Sequence, residues 1–380
     1  MKTTAEILSQ EINHTINTYI DTNADSTLFF DIETTGLSPK NASVYLIGTA
    51  ALENGSWVLR QWFSETLAEE EEILESFLNY AQAFKNLVHF NGTTFDIPFV
   101  QARCKKYGLS AGLTEMTQLD IYRQISPFKN TLKLSNCKQK TLEEFLSIFR
   151  EDPFNGGQLI ELYKAYRQKP DIRLLKVLLL HNADDIRGML SVLPVLSYPM
   201  LLSEGVRITG SSVEGSKDFR GNDRKELILH LDFPRPVPVP FSLHKSGCFF
   251  SASHKSAAVK IPVFCGELKY FYSDYKNYSY LPAEDNAIHK SVAVYVDKAH
   301  RVPATPETCY TRKCGEFVPC FCTQTEPPVF HKCVPTKKKT GSAADREKEC
   351  NDFLLLEDTF LKDDEKLTAY GNSFLRYLLK

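Results

Sequence analysis

The sequence predicts an α/β fold, a mixed sheet flanked by helices, followed by a second β-rich domain with a C-terminal helix. Three observations predict it. Apolar runs over 28–30, 44–52 and 57–63 follow one another, the last two joined by Asn54-Gly55, a hairpin signal. From 69 to 195 the pattern alternates between helix and strand. Beyond 198, short β-like runs separated by turn residues take over.

In chain order, Ile7, Leu8, Ile12, Ile16 and Ile20 stand at near-helical spacing, so an amphipathic helix is expected over 5–20, within an N-terminal element 1–25. Leu28-Phe29-Phe30 then begins a buried strand and opens a domain spanning 26–198. A helix over 69–83 is acidic in its first turn, as the macrodipole favours. A short strand at 87–90 and a helix over 95–106, closed by Gly108, come next. Residues 119–121 belong to a fifth strand or its edge, and helices follow over 141–149, 158–166 and 171–195. The β-rich domain, 205–380, has expected strands at 226–233, 236–242, 248–253, 257–262, 268–272 and 291–296. A flexible loop is expected at about 323–348, around Pro327-Pro328 and Lys337-Lys338-Lys339, and a last helix over 365–379.

Bulk properties agree with two soluble domains: 380 residues, 43% hydrophobic and 24% charged. The formal charge of −2 conceals an asymmetry, −5 over residues 1–200 and +3 over 201–380. Attraction for nucleic acid must therefore come from local patches or from cations bound to the acidic half. The N-terminus lacks the apolar core of a signal peptide, and no stretch approaches ~18 uninterrupted apolar residues. A cytoplasmic protein with no membrane partner is expected. The ten cysteines then read as reduced thiols, with Cys104, Cys137, Cys248 and Cys265 as buried small hydrophobes.

The chemistry concentrates in three segments. Strand alternation places Asp31 and Glu33 on one face, two residues apart. Beside Phe29, Phe30 and Ile32 these carboxylates repel each other and lose hydration, which bound cations remedy; the alternative is an exposed pair on an edge strand. Asp96 falls at a loop-to-helix boundary after a short strand, where active-site residues of open α/β sheets gather. It reads equally as a helix N-cap. His181 and Asp185, at i and i+4, share a helix face: the carboxylate can complete a metal site and the imidazole can take a proton from water. Asp184 is the alternative ligand beside it.

In this order the three segments resemble motifs I, II and III of the DEDD exonucleases, which have a ribonuclease H-like fold. Residues of about 26–196, under half of the chain, are similar to the YprB-type ribonuclease H-like proteins. The resemblance is carried by Phe-Asp31-Ile-Glu33-Thr-Thr-Gly, Tyr45-Leu-Ile-Gly48, Asn91-Gly-x-x-Phe95-Asp96, Leu119-Asp120-Ile-Tyr122, Leu142-Glu143 and His181-Asn182-x-x-Asp185. It implies a 3′–5′ exonuclease acting on single-stranded DNA or RNA, with Asp31, Glu33, Asp96 and Asp185 holding two divalent cations, Mg²⁺ or Mn²⁺, and Asp31 bridging them. Two such ions, ~4 Å apart, suit an in-line displacement at phosphorus. His181 joins the four acids as a catalytic residue. Thr34, Thr35, Gly36 and Asn91 are expected to bind the terminal nucleotide, with Leu37 or Phe95 wedging or stacking on its base, although Phe95 also reads as core. The sequence departs from the family in one place. The family has a tyrosine four residues before the last aspartate or a histidine five before it, whereas here a histidine stands at the tyrosine spacing. The rival readings are a catalytically silent nucleic-acid-binding module of the same fold and a structure-specific endonuclease.

In the second half, Cys309, Cys314, Cys320, Cys322 and Cys333 with His331 match no standard zinc spacing and read as reduced thiols. Aromatic residues interleaved with cations from Lys269 to Tyr280 suit either a stacking track for single strands or ordinary strand packing.

Overall fold

The computed structural model describes residues 1–9, 16, 18–20, 24–150, 153–154, 156–217, 221, 223–321, 328–332 and 352–379. They form two units, Met1–Met200 with Val237–Val239, and Leu201–Pro236 with Pro240–Lys380.

The first unit is built on β1 (Lys2–Ile7), β2 (Thr27–Thr34), β3 (Val44–Glu53), β4 (Ser56–Phe63), β5 (Asn86–His89) and β6 (Thr117–Asp120). They lie in the order β1-β4-β3-β2-β5-β6. The β2–β3, β3–β4 and β1–β4 pairs are antiparallel, while β2–β5 and β5–β6 are parallel, so the sheet is mixed. The expected hairpin turn is present, with Asn54 and Gly55 at φ of 51° and 81°, the left-handed pair that a two-residue hairpin favours.

Alternation along the strands gives the sheet two different faces. One packs Leu28, Phe30, Ile32, Ile47 and Trp62 against α1 (Glu70–Ala81) and α2 (Asp96–Tyr107), through Ile73, Phe77, Phe99 and Val100. The opposite face packs Tyr45 and Phe63 against α4 (Gly156–Gln168) and α5 (Ile172–Ser191), which follow α3 (Gln139–Phe145). Gly108 ends α2 in the left-handed conformation that glycine tolerates, with φ of 73°. By length and composition the stretch Ile172–Ser203 is apolar enough to cross a bilayer, yet 61% of its apolar 18-residue window is buried inside the protein, as in a core helix.

The N-terminal element differs from expectation. Residues 2–7 form β1, an exposed edge strand against β4, so residues 5–7 of the helix expected over 5–20 are extended, whereas residues 16, 18 and 19 are helical. Ile7, one of the residues that suggested the periodicity, is 71% exposed. The edge of β4 offers a row of backbone partners, and the Thr3-Thr4 pair suits extended structure. Much of the rest of that expected helix, residues 10–15, 17 and 21–23, lies outside the described residues.

In the second unit a six-stranded sheet runs β13-β15-β14-β9-β8-β7, made of β7 (Arg207–Lys217), β8 (Asp223–Lys245), β9 (Cys248–Phe271), β13 (Tyr310–Pro319), β14 (Val329–His331) and β15 (Asp352–Leu355). A small sheet joins β10 (Tyr278–Leu281), β11 (Asn286–His289) and β12 (Val302–Pro303). Five of the expected short strands merge into β8 and β9. Pro234, Pro236, Pro238 and Pro240 lie within β8, where at every second residue their missing donors all fall on one strand edge. The β7 pairing stops at Asp232, before the first of them. The expected strand at 291–296 is not formed; Lys290–Ala293 is a single helical turn capped by His289. Cys265 is exposed rather than buried. Residues 323–327 and 333–348 of the expected loop, with Cys322 and Cys333, lie outside the described residues. The final helix, α6 (Asp364–Leu379), is formed as expected.

Candidate metal centre

Asp31 and Glu33 lie at the C-terminal end of β2, as alternation requires, with Glu33 buried and Asp31 half-buried. Just past them the chain turns. Thr34 Oγ1 donates to the Gly36 carbonyl at 2.8 Å, and the Ser43 amide donates to Thr35 Oγ1 at 2.9 Å. Gly36 is needed for close approach, since a Cβ there would stand 3.3 Å from Ala42 Cβ. Leu37 projects from this turn 82% exposed. The turn is braced from beneath by Arg103, which donates to the Pro39 carbonyl and Ser43 Oγ while paired with the fully buried Glu70.

Asp96 is the first residue of α2 rather than its cap; Phe95 holds the cap position and its side chain makes no capping bond. The backbone amides of Asp96 itself and of Ile32 favour the ionised form of its carboxyl. That second donor is available because β5 pairs with β2 only as far as Phe29–Val88. The approach to Asp96 is shaped by Asn91, at φ of 61°, whose amide donates to Asp120 Oδ1 at 2.9 Å. His89, buried beneath, accepts from the Gly92 amide at 3.1 Å, and only glycine fits there because a Cβ would lie 2.8 Å from the imidazole. Asn91 Oδ1 accepts from Thr94, and Phe95 packs on Phe99 at 5.5 Å, so each of these side chains already has an intramolecular role.

On α5, His181 and Asp185 do share a face. His181 Nε2 lies 3.2 Å from Asp185 Oδ2 and 3.5 Å from Glu33 Oε1. Among the described residues, Glu33, His181 and Asp185 offer ligand atoms within 4.8 Å of one another. Asp184 faces Arg187 at 3.1 Å, and Arg187 also bonds Glu6 of β1 at 2.6 Å.

Electrostatics link these groups to Asp31 and Asp96. Burial, followed by repulsion from Asp185, Asp96 and Glu33, holds the Asp31 carboxyl well above the usual range, against the hydrogen bond from Asn182. Burial likewise pushes Asp96 up to about 7 despite its two amide donors. Asp185 goes the other way: its burial is outweighed by His181 and Arg150, and its pKa falls. Carboxylates that are costly to ionise together, with an imidazole among them, are a donor set that fits hard divalent cations.

Sequence reasoning missed the residues that hold Asp31. Across the sheet, Asp31, Gly48, Gln61 and Thr4 occupy one row on four neighbouring strands. Asn182 lies over Gly48 and donates from Nδ2 to Asp31 Oδ2 at 2.8 Å, while its Oδ1 accepts from Gln61 Nε2 at 2.9 Å. Thr4 Oγ1 completes the row on Gln61 Oε1 at 3.1 Å. A Cβ at position 48 would fall 2.1 Å from Asn182 Oδ1, so the chain needs glycine there. Gly48 and Asn182 both lie within motif segments, but nothing local announces their contact.

Among the described residues of the second unit, Cys309, Cys314 and Cys320 do not assemble with His331. Cys309 is buried and Cys314 exposed, and among the described residues the one cluster of potential metal ligands is that around His181. The tyrosines of 270–280 largely pack on one another and on Ala287, Ala304 and Cys309, with Tyr272 and Tyr278 stacked at 4.4 Å.

Residues 28–197 match the family model of the RNase_H superfamily. Among curated proteins, the chain is 28% identical over 141 residues to a DNA polymerase III PolC-type of Caldanaerobacter subterraneus subsp. tengcongensis, an alignment covering 31% of this chain and 10% of that protein. A DNA polymerase III PolC-type of Ureaplasma parvum serovar 3 is also 28% identical, with the same coverage. The chain thus spans about a tenth of the length of these relatives. Among solved structures, the family B DNA polymerase of Pyrobaculum calidifontis superposes with a TM-score of 0.37 and 14% identity, covering 66% of this chain and 35% of that one. Escherichia coli Exonuclease I in complex with a dT13 oligonucleotide gives 0.27 and 11%, covering 54% of each chain.

Proposed function

We propose that this protein, whose residues 28–197 match the RNase_H superfamily model, is a metal-dependent nuclease, a 3′–5′ exonuclease acting on single-stranded DNA or RNA. The observation that supports it most is the convergence of Asp31, Glu33, Asp96 and Asp185 with His181, from three separate elements, into one electrostatically coupled group. Divalent cations held there, Mg²⁺ or Mn²⁺, would supply the Lewis acidity that activates a water and offsets charge on the leaving 3′ oxygen.

The chain's own groups have distinct tasks in this reading. Asn182 fixes one oxygen of Asp31, and two backbone amides orient Asp96, so both carboxylates are set before substrate arrives. His181 Nε2 holds the proton given up by the attacking water, with Asp185 and Glu33 stabilising the imidazolium that results. Water oxygen bonds to phosphorus, the bond from phosphorus to the 3′ oxygen breaks, and that oxygen takes a proton from solvent as His181 returns its own. Leu37, exposed on the turn that follows Glu33, would wedge against the terminal base, with Thr34, Thr35 and Gly36 beside it on the same turn.

The test is incubation of 5′-labelled single-stranded DNA and RNA with Mg²⁺ or Mn²⁺, beside Asp31→Ala and Asp96→Ala. A ladder shortened from the 3′ end, absent in both variants, is expected. Internal fragments would mean an endonuclease, and binding without cleavage a silent module. Cleavage undiminished in both variants would overturn the site.

A further inference from the structure

Asp185 carries a cationic partner supplied by the protein itself. Arg150, beyond the end of α3, donates from a terminal guanidinium nitrogen to Asp185 Oδ1, and its Nε lies 3.4 Å from Glu143 Oε2. This is a built contact. The Arg150 side chain is 10% exposed and Glu143 1%. Gln139 Nε2 bridges Glu143 Oε1 at 2.9 Å and the Asp185 carbonyl at 2.8 Å. Gly188 makes room for Glu143, since a Cβ there would stand 2.0 Å from its Oε1.

With Oδ2 beside His181 and Oδ1 on Arg150, both oxygens of Asp185 are engaged. A divalent cation drawn to Asp185 would meet the guanidinium charge already seated on Oδ1, and the two positive charges repel. We propose that Arg150 is an internal counter-ion that competes with the divalent cation for Asp185, so that ion binding and release of Arg150 are one event. The inference rests on the reading of this centre as a metal site. Its consequence is a raised ion threshold, since apparent affinity falls by the fraction of molecules in which Asp185 is free. While no ion is bound, Arg150 offsets part of the repulsion among the carboxylates.

Isothermal titration of the full chain with Mn²⁺ tests this, comparing wild type with Arg150→Gln, with Arg150→Lys, and with Arg150→Gln/Glu143→Gln. The double variant removes the buried charge that the single one would strand, so it decides the matter if Arg150→Gln fails to fold. Binding at least about tenfold tighter in the glutamine variants, with Arg150→Lys close to wild type, is the expected result. The gain should vanish when Asp31→Asn is added. Equal or weaker Mn²⁺ binding in the double variant would overturn the competition while leaving the metal centre standing. Absence of Mn²⁺ binding in wild type and all variants would overturn the competition and the metal reading together. Binding detected only once Arg150 is removed would support it.

Discussion

At the scale of single residues, the centre depends on two close approaches. Gly48 permits Asn182 to reach Asp31, and any side chain at 48 would displace that amide. Gly48→Ala is therefore expected to lower nuclease turnover at least about tenfold while the chain stays folded, read by cleavage rate beside circular dichroism. Asp184 and Asp185 should separate cleanly. Asp184→Asn weakens the pairing with Arg187 and is expected to keep most activity, whereas Asp185→Asn should abolish it. Asp96 offers a pH test in metal-free protein. Its carboxyl is raised from 3.8 to about 7, so between those values the unfolded chain releases a proton that the folded one retains. Its contribution to stability is therefore complete below 3.8 and lost as pH rises through about 7. Thermal melts should show Asp96→Asn gaining on wild type across that window and holding a constant advantage above it. A gap that widened toward acid would contradict this assignment.

At the scale of elements, the turn bearing Thr34 to Leu37 owes its shape to a buried ion pair between α1 and the middle of α2, the helix whose first residue is Asp96. Glu70 of α1 accepts from Arg103 of α2, from Tyr107 and from the Val44 amide, and Arg103 reaches on to Pro39 and Ser43. Arg103→Met would strand a fully buried carboxylate, at a cost of roughly 3–5 kcal/mol. Urea denaturation should show that loss, and Glu70→Gln/Arg103→Met should recover much of it. The same elements explain an error of sequence reading. Apolar spacing near the N-terminus suggests a helix, but residues 2–7 extend the sheet, where Thr4 meets Gln61 and Glu6 meets Arg187. Periodicity reports a face to be buried; it does not report an unpaired strand edge elsewhere that competes for the segment.

At the scale of the whole molecule, two units of different construction should respond differently to ions. The centre lies wholly within Met1–Met200, and the cysteines and tyrosines of the second unit form no comparable cluster among the described residues. Calorimetry of the metal-free chain is expected to resolve two transitions, and Mn²⁺ to raise one of them by several degrees while the other stays in place. Asp31→Asn/Asp96→Asn should remove that shift. A shift of both transitions alike would place the ion outside the proposed centre.

The sequence by itself determined the mixed α/β unit, the order of its strands and helices from residue 27 onward, and two pairs of side chains that share a face. Each is a local property: strand alternation pairs Asp31 with Glu33, and helical periodicity pairs His181 with Asp185. Tertiary structure alone decided what those acids touch. The Asn182–Asp31 contact spans 151 positions and Thr4–Gln61 spans 57, while Arg150 reaches Asp185 across 35. It also decided that Asp96 faces the Ile32 amide instead of capping its helix, because β5 leaves that donor unpaired. Spacing along a chain defines neighbours on one element. The partners that orient a carboxylate, or neutralise it, come from other elements and appear only when those elements pack.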